Sequence, residues 1–123
     1  MKIQQRAHGS VMVVTPVGRI DTTTSPSLEE VTRGLVDGGA RDLLVDLSGT
    51  EYISSAGLRV FLVLAKRLRD LRGRLVLAGL DQPVRQVFQL AGFLPLFTID
   101  GTLDAALARF DETAPTGMRR PLL

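Results

Sequence analysis

Glu51-Tyr52-Ile53-Ser54-Ser55-Ala56-Gly57-Leu58-Arg59-Val60-Phe61-Leu62 is the stretch on which the reading of this chain turns. It follows a compact apolar run, Leu43-Leu44-Val45-Asp46-Leu47, and opens the longest helix-like segment. Two adjacent serines stand where that helix should begin, and the small pair Ala56-Gly57 leaves their hydroxyls uncovered. A serine there can cap the helix, because its oxygen accepts one of the backbone N–H groups the first turn leaves unpaired. It can also be a nucleophile or a phosphate acceptor.

Working outward, the residues before this stretch read as strands and one helix. Ile3 to Arg6 suits a short strand, and His8-Gly9-Ser10 a turn. Val11 to Val17 is β-branched and apolar and reads as a strand closing at Gly18-Arg19-Ile20-Asp21. Pro16 cannot donate to a ladder, which places it near that strand's end or on a free edge. Ser25 and Pro26 suit the N-cap and first position of a helix running to about Val36, with Leu28, Val31, Leu35 and Val36 inward. Asp42 to Leu47 is apolar enough for a strand buried on both faces. After the serines the helix runs to roughly Arg72, with Phe61, Leu64, Ala65, Leu68 and Leu71 on one side and Arg59, Val63, Lys66 and Asp70 on the other. A strand over Arg74–Gly79, a helix over Pro83–Leu90 capped by Asp81, a short strand over Leu96–Ile99 and a helix over Leu103–Phe110 follow. The order β-β-α-β-α-β-α-β-α predicts an α/β domain, a mixed sheet of four to five strands layered with about four helices. Residues 1–112 form this single domain, and 113–123, which lack periodicity, are expected to be a flexible tail.

Composition narrows the function. The chain has 123 residues, 45% of them hydrophobic, with five Phe, one Tyr, no Trp and no Cys. That suffices for one aliphatic core, and disulfide or thiolate chemistry is excluded. No apolar run approaches the ~20 residues of a membrane span, and no leader-like apolar region opens the chain. A cytoplasmic location without membrane insertion is the expectation. Thirteen of the fifteen basic residues are Arg, but they are scattered and the net charge is only +2. No basic stripe with stacking aromatics marks a nucleic-acid surface.

Catalysis finds no support. A serine nucleophile needs a base, and the one histidine, His8, lies in a predicted turn far along the chain. G-x-S-x-G and S-x-x-K patterns are absent, as are phosphate-cradling glycine motifs. One His and scattered carboxylates make no metal site. A phospho-aspartate receiver would use Asp46, but the acidic pair and late lysine it requires are missing. We therefore expect no catalytic residue, metal or cofactor. Cap and phosphate acceptor remain, and the residues alone favour the cap.

Three segments then carry a resemblance. Leu43 to Ser48 followed by Tyr52 to Val60 resembles the signature of STAS domains, specifically bacterial anti-sigma factor antagonists. Val17-Gly18-Arg19-Ile20-Asp21 is similar to that family's Gly-x-hydrophobic-Asp loop, and Leu90-Ala91-Gly92-Phe93 with Phe97 to its last core segment. The likeness spans about Val11 to Phe110. The family pattern, Asp-Ser-[Ser/Thr/Ala]-Gly-Leu, puts the phosphoacceptor on Ser55 and leaves Ser54 in place of the Asp, which keeps Ser54 as the lesser alternative.

The resemblance implies partner switching. The unphosphorylated protein binds an anti-sigma factor that is also a serine kinase of the histidine-kinase-like ATPase type. Phosphorylation at Ser55 releases it, and a PP2C-type phosphatase resets it. The partner surface is expected at Asp21, Thr22, Thr23, Ser54, Ser55, Ala56, Gly57, Arg59, Val60 and Val63, on a monomer or weak dimer. The alternative within the family is a non-switching STAS subunit of an ABC lipid-transport or stress-signalling complex.

Overall fold

The structure, a computed structural model, describes residues 1–112; the tail expected over 113–123 lies outside the described residues. Strand β1 (Lys2–His8) pairs antiparallel with β2 (Val11–Ile20). Helix α1 (Ser25–Asp37), β3 (Asp42–Asp46), β4 (Thr50–Ile53) and α2 (Ser55–Asp70) follow. Then come β5 (Arg74–Ala78), α3 (Gln82–Leu90), a 3₁₀ turn at Leu94–Leu96, β6 (Thr98–Asp100) and α4 (Leu103–Glu112). The sheet order is β1-β2-β3-β5-β6, with β4 also paired to β2, and every pairing except β1–β2 is parallel.

The apolar runs of the central strands are continuous because both faces are covered, and neighbouring residues serve opposite layers. Val14, Val45 and Leu77 face α1, α2 and α3, where they pack with Leu28, Phe61 and Phe88. Val13, Leu44 and Val76 face the other side, against Ala106 and Phe110 of α4. Three helices thus cover one face and a single helix the other. Full burial of a side chain such as Phe61 or Phe88 stabilises by roughly 1.5–3 kcal/mol. The inward face of α2 therefore holds it on the sheet far more firmly than any cap, worth about 1 kcal/mol.

The α/β class, the mixed sheet and the four helices are as expected, but several details differ. The sheet has six strands, because the stretch read as leading straight into the helix first forms β4. Pro16 is not at an end or on an edge: it is buried within β2, opposite Ile3 of β1. On its other side β2 pairs with β3 only through Val14 and with β4 only from Gly18. A residue's N–H and C=O point the same way in a strand, and the Pro16 carbonyl accepts from Thr50 Oγ1 at 3.0 Å. The missing N–H thus falls in the gap between partners, where no ladder bond is lost.

Three boundaries also move. Thr24, not Ser25, is the N-cap position of α1, and it makes no side-chain cap bond. Residues Leu94–Leu96 turn as a 3₁₀ segment, which shifts β6 to Thr98–Asp100. His8 belongs to β1, and the turn is Gly9-Ser10.

Candidate functional site

The site forms where β2 and β4 end together. Ile20 pairs with Ile53, and the Ser54 N–H donates to the Ile20 carbonyl at 2.8 Å. That bond joins the Asp21–Thr24 loop to the start of α2, so two segments more than thirty residues apart in sequence share one surface.

The two serines divide their work by backbone geometry. Ser54 has the extended backbone of an N-cap (φ −93°, ψ 174°), and its hydroxyl accepts from the Gly57 N–H at 3.3 Å. Ser55 is the first helical residue and is exposed. Among the described residues its hydroxyl has no hydrogen-bond partner. The first turn of α2 carries no acidic side chain of its own to offset the positive end of the helix dipole beside Ser55.

Gly57 makes this approach possible. It is buried, and a Cβ there would lie 2.6 Å from Ile20 Cγ2 and 2.8 Å from Ile53 Cγ1. The residue brings α2 down onto the strand ends, so it belongs to the site through packing and is not part of the exposed surface expected of it.

Across the junction, Asp21 organises its loop as a polar turn of the Asx kind. Its Oδ1 accepts from the Thr23 hydroxyl (2.7 Å) and from the Thr23 and Thr24 amides (3.0 and 3.1 Å). The Thr24 hydroxyl accepts from the Asp21 N–H and donates to the Arg19 carbonyl. The Thr23 hydroxyl above all, then those amides and the Thr24 hydroxyl, hold the Asp21 carboxyl below the usual aspartate range against the opposing pull of desolvation. Thr22 and Thr23 stand exposed beside it.

From Ser55 a cleft of about 560 Å³ runs between α1 and α2. It is lined by Ser25, Pro26 and Glu29 on one side and by Ser55, Arg59 and Val63 on the other, with Phe93 at one end. Leu62 and Val63 form an apolar ridge, 37% and 52% exposed, and a second groove behind it carries Lys66, Arg69 and the exposed Leu96. The structure thus brings Asp21, Thr22, Thr23, Ser54, Ser55 and Gly57 together at the strand ends, and sets Ala56, Arg59 and Val63 along the cleft beyond them. Val60 is 7% exposed: it packs in the core and also lines this cleft, because α1 covers a face that a wheel drawn for α2 alone leaves open.

Arg19 and Tyr52 are additions. The Arg19 guanidinium sits over the Tyr52 ring at 4.3 Å, with Asp21 Oδ2 3.9 Å from its Nε. Tyr52 was detectable as the one tyrosine, lying beside the serines; Glu29 and Phe93 reach the cleft only through tertiary packing and left no signal.

His8 pairs with Val11, at the opposite end of β2 from Ile20, nine residues or about 30 Å away at the usual strand rise. No imidazole is near either serine. Among the described residues no group of three or more potential metal ligands forms, and no helix is long and apolar enough to cross a membrane.

The site is thus a serine-started helix set over the strand ends of a mixed sheet. Comparison with known proteins makes the class specific. The STAS domain profile matches residues 2–106, and the chain belongs to the STAS domain family. It is 37% identical over 115 residues to BtrV of Bordetella bronchiseptica, described as a candidate anti-sigma factor antagonist, covering 94% of this chain and 99% of BtrV. The crystal structure of an anti-sigma factor antagonist from Mycobacterium paratuberculosis superposes with a TM-score of 0.81 at 29% identity, over 88% of this chain and 92% of that one. The unphosphorylated form of the anti-sigma factor antagonist SpoIIAA shares the fold, with a TM-score of 0.78 at 20% identity over 93% and 100% of the two chains. SpoIIAA from Bacillus has also been solved in its phosphorylated form.

Proposed function

We propose that this protein is an anti-sigma factor antagonist that works by partner switching, with Ser55 as its phosphoacceptor. In the unphosphorylated state the Ser55 end of α2, the Leu62–Val63 ridge and the Asp21 loop dock on an anti-sigma factor. That partner is a serine kinase of the histidine-kinase-like ATPase type. It transfers the γ-phosphoryl group of its ATP to the Ser55 oxygen, which loses its proton, and ADP is left. The phosphoserine carries roughly −1.5 to −2 charges into a contact that had accommodated a neutral hydroxyl, and the complex separates. A PP2C-type phosphatase hydrolyses the ester and restores the docking form. The domain acts as substrate and docking partner in both steps, in the cytoplasm.

One observation carries the reading: Ser54 takes the cap and Ser55 remains exposed at the first helical position. The acceptor can be modified without disturbing the helix start. Free N–H groups there, with no acidic side chain in the helix's first turn, tolerate the added anion.

Incubation with the cognate kinase and ATP should add one phosphate to the intact mass. Ser55→Ala should abolish it, and Ser54→Ala should retain it. Ser55→Asp should keep the fold and weaken kinase binding. Uptake of phosphate by Ser55→Ala but not by Ser54→Ala would move the acceptor by one residue. No uptake by either would favour a non-switching subunit.

A further inference from the structure

Arg59 stands four residues after Ser55 on the unbroken helix α2, and the two line one cleft. Side chains at this spacing share a face, with Cβ atoms about 5–6 Å apart. Two other arginines of these elements are engaged: Arg67 with Asp37, and Arg19 with Tyr52 and Asp21. Arg59 is exposed and, among the described residues, has no ion pair, hydrogen bond or ring contact. Glu29 faces the same cleft from α1.

A neutral hydroxyl offers this guanidinium little. A phosphate offers three oxygens whose spacing matches the planar fork of donors. The acid-before-base order at i, i+4 is also the favourable one on a helix. The Glu29 carboxylate repels a phosphate from the α1 side and directs it toward Arg59.

We propose that Arg59 is the intramolecular receptor of the Ser55 phosphoryl group. This rests on Ser55 as acceptor and adds a second consequence of phosphorylation. The modification introduces charge, and it also withdraws Arg59, a cation that shares the serine's cleft, from the rim of the docking surface. A partner that pairs with Arg59 loses that contact at the same moment.

The test installs phosphoserine at position 55 during translation, so it depends on no kinase. Phosphorus-31 NMR then follows the second ionisation of the phosphate in the full chain. With Arg59 present this ionisation should occur about half a unit to one unit lower in pH than in Arg59→Gln, because the cation favours the dianion. Arg59→Lys, with the charge but not the fork, should keep only part of the shift. Arg33→Gln, which removes a cation further along the same helix pair, should leave it unchanged. Identical titration of Arg59→Gln and the parent overturns the assignment. An equal change in Arg33→Gln also overturns it, by showing a general field instead of a specific pair. Should Arg59→Gln fold poorly, the comparison with Arg59→Lys still decides, since a specific pair must distinguish the two cations. Absence of kinase labelling at Ser55 beside an intact pairing would sink only the regulatory reading, and labelling without pairing only the role of Arg59.

Discussion

Ser54 and Ser55 are identical in chemistry and different in setting, and one residue of helix register separates them. The cap residue turns its hydroxyl back along the chain to Gly57, while the next residue faces outward. The residue types alone did not say which serine caps, because that lies in a backbone angle; the family resemblance alone favoured Ser55 as acceptor. Gly57 gives the sharper test at this scale. In an open helix Gly→Ala stabilises by about 1 kcal/mol. Here the added methyl meets Ile20 and Ile53, both fully buried and stiff at χ1, and overpacking costs about 1–3 kcal/mol. We expect Gly57→Ala to lower stability by up to about 2 kcal/mol in urea denaturation and to weaken partner binding; a more stable variant would show the close approach to be dispensable. That Gly57 belongs to the site was legible in the motif. Its reason, a contact with Ile20 across the fold, was not.

Among the elements, α2 shows how a helix end can mislead. A glycine, Gly73, follows it, yet the left-handed residue is Arg72, at φ +63°. Gly73 serves a different need, since a Cβ there would sit 2.2 Å from the Arg41 carbonyl oxygen. A left-handed non-glycine residue costs about 1–2 kcal/mol, partly offset by the greater chain entropy glycine loses on folding. Arg72→Gly should therefore raise stability by up to about 1 kcal/mol, seen as a higher urea midpoint with an unchanged slope. A lower midpoint would mean that Arg72 makes contacts outweighing its strain. The main elements were legible because their apolar runs are long: Val11–Val17, Leu43–Leu47 and the face holding Phe61, Leu64 and Leu68. β4 was not, since Thr-Glu-Tyr-Ile is four residues abutting a cap and forms only because β2 offers it an edge.

At the scale of the molecule, the βα alternation announced the fold class, but which helices share a face and which strands adjoin is set by packing between distant segments. The cleft beside Ser55 therefore had to be seen. Two carboxylates link the whole fold to pH. The Arg109 guanidinium, bonded to Asp100 at 2.7 and 2.8 Å, holds that carboxyl below its usual range against desolvation, and so ties α4 to β6. Asp21 is lowered as well. As pH falls, the unfolded chain takes up protons at these positions before the native one does. Their stabilisation is complete above the usual aspartate range and drains away as pH drops through the lowered native values. The melting temperature should hold between about pH 7 and 5 and decline below about 4. Arg109→Ala should make the acid decline shallower, and an unchanged decline would show that the pair contributes nothing.

The interruption at Pro16 has one more consequence. β2 is one strand, but its first half is clamped between β1 and β3, while its last three residues lie beyond the β1 register and pair with β4 alone. Amide protection should be split accordingly, deep in the first half and modest in the second, as in proteins whose segments open independently. The end that carries the serines can then breathe on its own while the central sheet stays closed.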